Sequence, residues 1–126
     1  MLFRSELLQG GWDVILSLDV QGAATFQRLA QGEAVLRGAL VTVFLTPRTT
    51  GELTRRLRGR GSESEDAVAR RLLAAREEIG RWESFDYLVL SGTREEDLER
   101  VRCIYVAEKL RSCRAEFILE DGSAAG

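Results

Sequence analysis

Two groups of residues in this chain have the types and spacing to do chemistry. The first is Asp19-Val20-Gln21-Gly22, which directly follows the apolar run DVILSL at Asp13–Leu18. Ligands of open α/β sheets lie outside the carboxyl ends of the strands. A carboxylate here is therefore placed to bind Mg²⁺ through water or to accept hydrogen bonds from a substrate. An aspartate just before a helical stretch equally serves as its N-cap. The second group is Arg56, Arg58, Arg60 and Arg71, spread over two predicted helices on either side of Gly61. Guanidinium forks match phosphate oxygens in pairs, whereas lysine acts as a point charge. Phosphoryl transfer needs positioning and positive charge more than covalent help. Two arginine-bearing helices beside a glycine hinge can close over phosphates and exclude water. The same arginines also fit a solvated helical face, with Glu65, Glu77 and Glu78 as ion partners. Each such surface pair contributes only about 0.2–1 kcal/mol.

The elements that must carry these residues are legible from periodicity. Asp13–Leu18 is continuously apolar, as expected of a strand buried on both faces. Ala23–Leu29 reads as a short helix, and Gly32 and Gly38 break the stretch that follows. Leu40–Leu45 (LVTVFL) has the β-branched and aromatic content of a strand, and Pro47 stops it. Thr49 precedes Glu52 by three residues, the spacing of a capping box, and opens the first arginine-bearing helix. Gly61 is a helix stop and hinge. Ser64 caps a longer helix with Glu65 and Asp66 in its first turn. Its apolar positions Val68, Leu72, Ala75, Ile79 and Trp82 form a stripe on one face. Phe85–Leu90 (FDYLVL) reads as a third strand. Thr93 and Glu96 repeat the capping spacing before a last helix with Leu98, Val101 and Tyr105 on one face. Strands separated by helices fit a parallel sheet with crossover connections.

Composition narrows the classes of function. The 126 residues carry 18 basic and 20 acidic groups, with Lys109 the only lysine. That balance argues against a dedicated nucleic-acid binder, and no aromatic residue interrupts the chain between Arg48 and Arg81. The arginine bias fits base composition as well as anion recognition. The absence of histidine removes imidazole metal sites and histidine-based triads. Cys103 and Cys113 are too few for a disulfide framework or a metal cluster. No 18-residue apolar run is present, and Met1–Ser5 does not begin a signal peptide, so a cytoplasmic location is expected.

In order and spacing, the segment Asp13–Glu108 resembles the guanylate kinases. The family's buried strand and turn read roughly DxxLDIDxQGA, and here the stretch is DVILSLDVQGA. Pro47-Arg48-Thr49 stands where the family has PPS. The family's lid reads roughly ELxRRLRGRGxDSExxIxxRLxxAxxEI. It is matched from Glu52-Leu53-Thr54-Arg55-Arg56-Leu57-Arg58-Gly59-Arg60-Gly61 through Arg71-Leu72 to Glu78-Ile79. Phe85-Asp86-Tyr87 matches as well. The resemblance implies that Arg60 and Arg71 contact nucleotide phosphates and act in catalysis, with Arg56 and Gly61 supporting the lid. It implies that Asp19 lies near the guanine and the Mg²⁺–phosphate region. The reaction it implies moves the γ-phosphoryl of ATP to GMP, giving ADP and GDP, with ATP and Mg²⁺ required.

The chain also departs from the family. Ser17 replaces the first strand-motif aspartate, and Ser91-Gly92-Thr93 stands where the family shows acidic residues near the adenine. Nothing matches the glycine-rich GxxGxGK[ST] loop that holds donor phosphates, nor the segment that binds GMP. The expectation is therefore the carboxyl-terminal portion of a guanylate kinase, core end plus lid, inactive alone. The expected fold is α/β, a partial P-loop-kinase-type three-layer arrangement with parallel strands, crossover helices and an arginine-rich helical lid. Residues 1–12 are read as a leader with a candidate non-native start, 13–112 as the kinase-like domain with its lid at about 50–82, and 113–126 as a flexible tail. An open sheet edge is an expected site of self-association. The alternative function is a non-catalytic guanylate-kinase-like module that binds other proteins.

Overall fold

A computed structural model describes residues 2–59 and 64–122. Arg60 and Gly61, two of the residues singled out above, lie outside the described residues. The chain divides into two units, Met1–Leu90 and Ser91–Gly126.

The first unit is organised around two parallel strands, β1 (Val43–Thr46) and β2 (Tyr87–Leu90), in the register Val43↔Tyr87 to Thr46↔Leu90. Parallel neighbours cannot be joined by a tight turn, so the chain between them must cross over. Helices α4 (Thr50–Arg58) and α5 (Glu65–Ile79) make that crossover. The fold is α/β with parallel strands and crossover helices, as the sequence predicts. Both strands are shorter than their apolar runs. Leu40 is the C-cap of helix α3 (Ala34–Ala39), its N–H bonded to Leu36 O, and Pro47 ends β1 after Thr46.

Thr42 and Asp86 fasten the entry to the strand pair. Asp86 Oδ2 accepts from Thr42 N at 2.8 Å and from Thr42 Oγ1 at 3.0 Å. Thr42 Oγ1 in turn accepts from Asp86 N at 3.0 Å, and Tyr87 N donates to Thr42 O. Phe44 and Phe85 meet edge to face, with ring centroids 5.0 Å apart, an arrangement favoured by the ring quadrupoles. A second apolar cluster joins α2 (Val20–Gly32) to α3. Phe26, Ala30 and Leu36 are buried there, and Leu8 of α1 (Leu2–Gln9) and Leu40 pack against them.

One expectation needs correction. Asp13–Leu18 is neither strand nor helix, and Ile15 is 85% exposed. The residues suit a buried strand, but among the described residues the sheet consists of β1 and β2 and neither pairs with this segment. A strand is stabilised by its ladder, and apolar content alone does not make one. The last helix that the sequence predicts is present as α6 (Arg94–Lys109) in the second unit. Its face of Leu98, Val101 and Tyr105 is exposed, with Leu98 at 59%. The α5 stripe fares better, with Val68 buried and Leu72, Ala75 and Ile79 half-buried.

Candidate functional site

Each arginine-bearing helix begins at a side-chain cap. Thr49 Oγ1 accepts from Glu52 N at 3.1 Å and starts α4, and Ser64 Oγ accepts from Ala67 N at 3.2 Å and starts α5. These bonds satisfy amide donors that the first helical turn leaves unpaired. The two helices form an antiparallel hairpin, shown by contacts at both of its ends. Near the tip, Arg58 at the end of α4 pairs with Glu65 at the start of α5, with Nη2 2.9 Å from Oε2. At the base, Arg76 Nη2 of α5 reaches Thr50 Oγ1 of α4 at 3.5 Å.

The hairpin carries most of the predicted cations. Arg56 pairs with Glu52 one turn earlier at 2.8 Å, with the acid on the amino-terminal side, the better orientation for such a pair. Arg71 lies on α5 beside the apolar stripe and is half-buried, while its neighbour Arg70 is exposed. Arg58 shares with Arg55, Thr50, Gly51 and Thr54 an open depression of about 550 Å³ along α4. Arg56, Arg58 and Arg71 thus share one helical pair, connected through the segment that contains Arg60 and Gly61.

Asp19 is elsewhere, and its local role is clear. It is the N-cap of α2, and Oδ1 accepts from Gly22 N at 2.7 Å. A Cβ added to Gly22 would stand 3.1 Å from that oxygen and 3.2 Å from Leu18 Cβ. The Asp-x-x-Gly spacing therefore gives the carboxylate room to close the cap. No hydrogen bond or ion pair joins Asp19 to the hairpin arginines among the described residues.

Nor do the described residues bring together three side chains able to hold a metal ion. Asp19 offers a single carboxylate with one oxygen committed to the cap, and Ser17 stands where a second acid would be needed. This donor set does not fit a protein-held Mg²⁺, so no step is routed through one. No described helix is long and apolar enough to cross a membrane.

Asp86 escapes a reading by motif, because the partner that explains it, Thr42, is 44 residues away. Arg48 and Arg76 escape it too, since neither belongs to the densest part of the arginine run.

A family model described as "Guanylate kinase" matches residues 5–108. This corrects the expectation of a match confined to a carboxyl-terminal core end and lid, because the match takes in nearly the whole chain. Residues 5–12 carry no charged motif that would reveal the kinship, and Leu8 acts by apolar packing. The chain is similar to proteins named guanylate kinase in Zymomonas mobilis (33% identical over 109 residues), Paramagnetospirillum magneticum (37% over 106) and Bacillus anthracis (39% over 109). These alignments cover 86%, 84% and 86% of the chain, and 48%, 47% and 50% of the respective relatives. The chain therefore spans about half the length of the curated relatives it matches.

Proposed function

The chain belongs to the guanylate kinase family, and we propose that it provides the phosphate clamp and acceptor-side carboxylate of an ATP:GMP phosphotransferase. The observation that carries this reading is the capped, antiparallel α4–α5 hairpin bearing Arg56, Arg58 and Arg71. In the reaction, the bond between the γ-phosphorus and the β,γ-bridging oxygen breaks. A new bond forms from that phosphorus to a phosphate oxygen of GMP, leaving ADP and GDP. Charge spreads over the three equatorial oxygens in the transition state, and fixed cations stabilise it. Arg60 and Arg71 take that role. Arg56 and Gly61 support them. Asp19 accepts hydrogen bonds from the acceptor nucleotide through the carboxylate oxygen that the cap leaves available.

By this reading the 126-residue chain binds nucleotide phosphates through its arginines but does not turn over alone. No residue of the sequence matches the loop that would cradle the donor phosphates. The test is a coupled ADP-release assay on the purified chain with ATP, Mg²⁺ and GMP. No turnover above background is expected, while calorimetry detects weak nucleotide binding that Arg71→Gln weakens further. Turnover in the usual kinase range of about 1–100 s⁻¹, or binding indifferent to Arg71, overturns the reading.

A further inference from the structure

At the base of the hairpin is a cavity of about 170 Å³, lined by neither Arg56 nor Arg71. Pro47, Leu53 and Ile79 give it apolar walls, Thr49 and Thr50 line the α4 side, and Arg48 and Arg76 complete the lining. It lies beyond the carboxyl end of β1, where the sheet architecture favours ligands. We infer that this cavity is a binding site for one small oxyanion, of the phosphate class, held between Arg48 and Arg76.

The state of the two arginines supports this. Arg56 and Arg58 pair with Glu52 and Glu65. Arg48 has no hydrogen bond or ion pair among the described residues, and Arg76 has only its 3.5 Å contact to Thr50 Oγ1. No carboxylate lines the cavity. Two like charges facing one recess repel each other, and an anion between them removes that repulsion while accepting charge-assisted hydrogen bonds. Thr50 Oγ1 accepts from Arg76 and keeps its own proton to donate. Size decides the ligand class. Pockets for nucleoside-sized molecules run to roughly 300–1,000 Å³, so this one suits a free oxyanion and excludes a whole nucleotide. Because Arg48 precedes α4 and Arg76 lies near the end of α5, the anion ties together the two ends of the crossover. It braces the hairpin on the sheet, whatever the hairpin itself binds.

The test is a titration of the ¹⁵N-labelled chain with inorganic phosphate at constant ionic strength, with circular dichroism confirming that each variant folds. Saturable shifts are expected at the amides of Thr50 and Gly51 and at the side-chain Nε of Arg48 and Arg76. Arg48→Gln removes no contact in the structure, and it should raise the half-saturating phosphate concentration about tenfold, a change of about 1.4 kcal/mol. Arg76→Gln should do the same, while Arg70→Gln, a control for lost charge on the same helix, should leave it unchanged. Absence of saturation overturns the inference, as does equal weakening by Arg70→Gln or shifts centred on Arg71. A parallel titration with GMP separates the two sources of phosphate. Tighter saturation of the same amides by GMP would show that a nucleotide's phosphoryl group occupies the cavity, and the free-anion assignment fails.

Discussion

Asp86 and Thr42 hold each other through three hydrogen bonds of 2.8–3.0 Å, spanning 44 residues of sequence. Thr42 is buried, so a group left without its partner there bears the full desolvation cost, about 1–3 kcal/mol. Asp86→Ala takes the acceptor from both Thr42 N–H and the Thr42 hydroxyl proton, leaving only the bond from the backbone amide of residue 86 to Thr42 Oγ1, and it should lower unfolding stability in urea by about 1–3 kcal/mol. Thr42→Val removes the hydroxyl but keeps the amide bond to Asp86, and it should cost less. Equal stability of Asp86→Ala and the parent would show that the pair does not anchor the strands.

Asp19 has a demonstrated local role and a proposed distant one, and substitution can separate them. Asn caps helices about as well as Asp, whereas loss of the cap to Ala costs about 0.5–2 kcal/mol. Asp19→Ala should therefore destabilise the chain by that amount, and Asp19→Asn should be near neutral. If the carboxylate also serves the acceptor nucleotide, Asp19→Asn should weaken GMP binding in calorimetry while the melt is unchanged. Gly22→Ala, with its Cβ 3.1 Å from Asp19 Oδ1, should resemble Asp19→Ala in the melt.

The Arg58–Glu65 pair joins the two helices near their tip, but its side chains are 56% and 81% exposed. Solvent screening limits such pairs to about 0.2–1 kcal/mol. A double-mutant cycle of Arg58→Gln and Glu65→Gln should give a coupling in that range. It should shrink on going from about 0.01 M to about 1 M salt, as the Debye length falls from about 30 Å to about 3 Å. A larger, salt-insensitive coupling would mean that the pair is shielded from water and holds the tip more firmly than its exposure implies.

What could be read from sequence was what neighbours in sequence decide. Thr49, Ser64 and Thr93 each accept from the amide three residues on, and each cap was visible as a short spacing. The strands at Val43–Thr46 and Tyr87–Leu90 stood out by their β-branched and aromatic content. What distant partners decide was hidden. Asp13–Leu18 has the residues of a strand but no ladder to join. The Leu98 face of α6 has helical periodicity, and periodicity does not reveal what covers it. Asp86 looked like one letter of a motif until Thr42 explained it. For the candidate site, spacing placed the arginines on two helices, and the contacts at tip and base made those helices antiparallel. The recess between Arg48 and Arg76 depends on where α5 ends against the start of α4, which no local pattern encodes.

Arg71 is the strongest single test of the phosphate clamp, because its neighbour supplies the control. Both Arg70 and Arg71 lie on α5, but Arg70 is exposed and Arg71 is half-buried beside the apolar stripe. Removing either lowers the charge of the helix by the same amount. Of the two, Arg71 is the one proposed to contact phosphate. A hydrogen bond to a charged group contributes about 1.5–3 kcal/mol, which corresponds to roughly 10- to 150-fold in affinity. Arg71→Gln should therefore weaken binding of GMP or ATP by about that factor in calorimetry, and Arg71→Lys should recover only part of it, because lysine lacks the paired fork. Arg70→Gln should change affinity less than about twofold at physiological salt, consistent with screening of an exposed charge. If the two glutamine variants lose affinity equally, the nucleotide responds to the overall charge of α5, and the assignment of Arg71 to the phosphates is wrong.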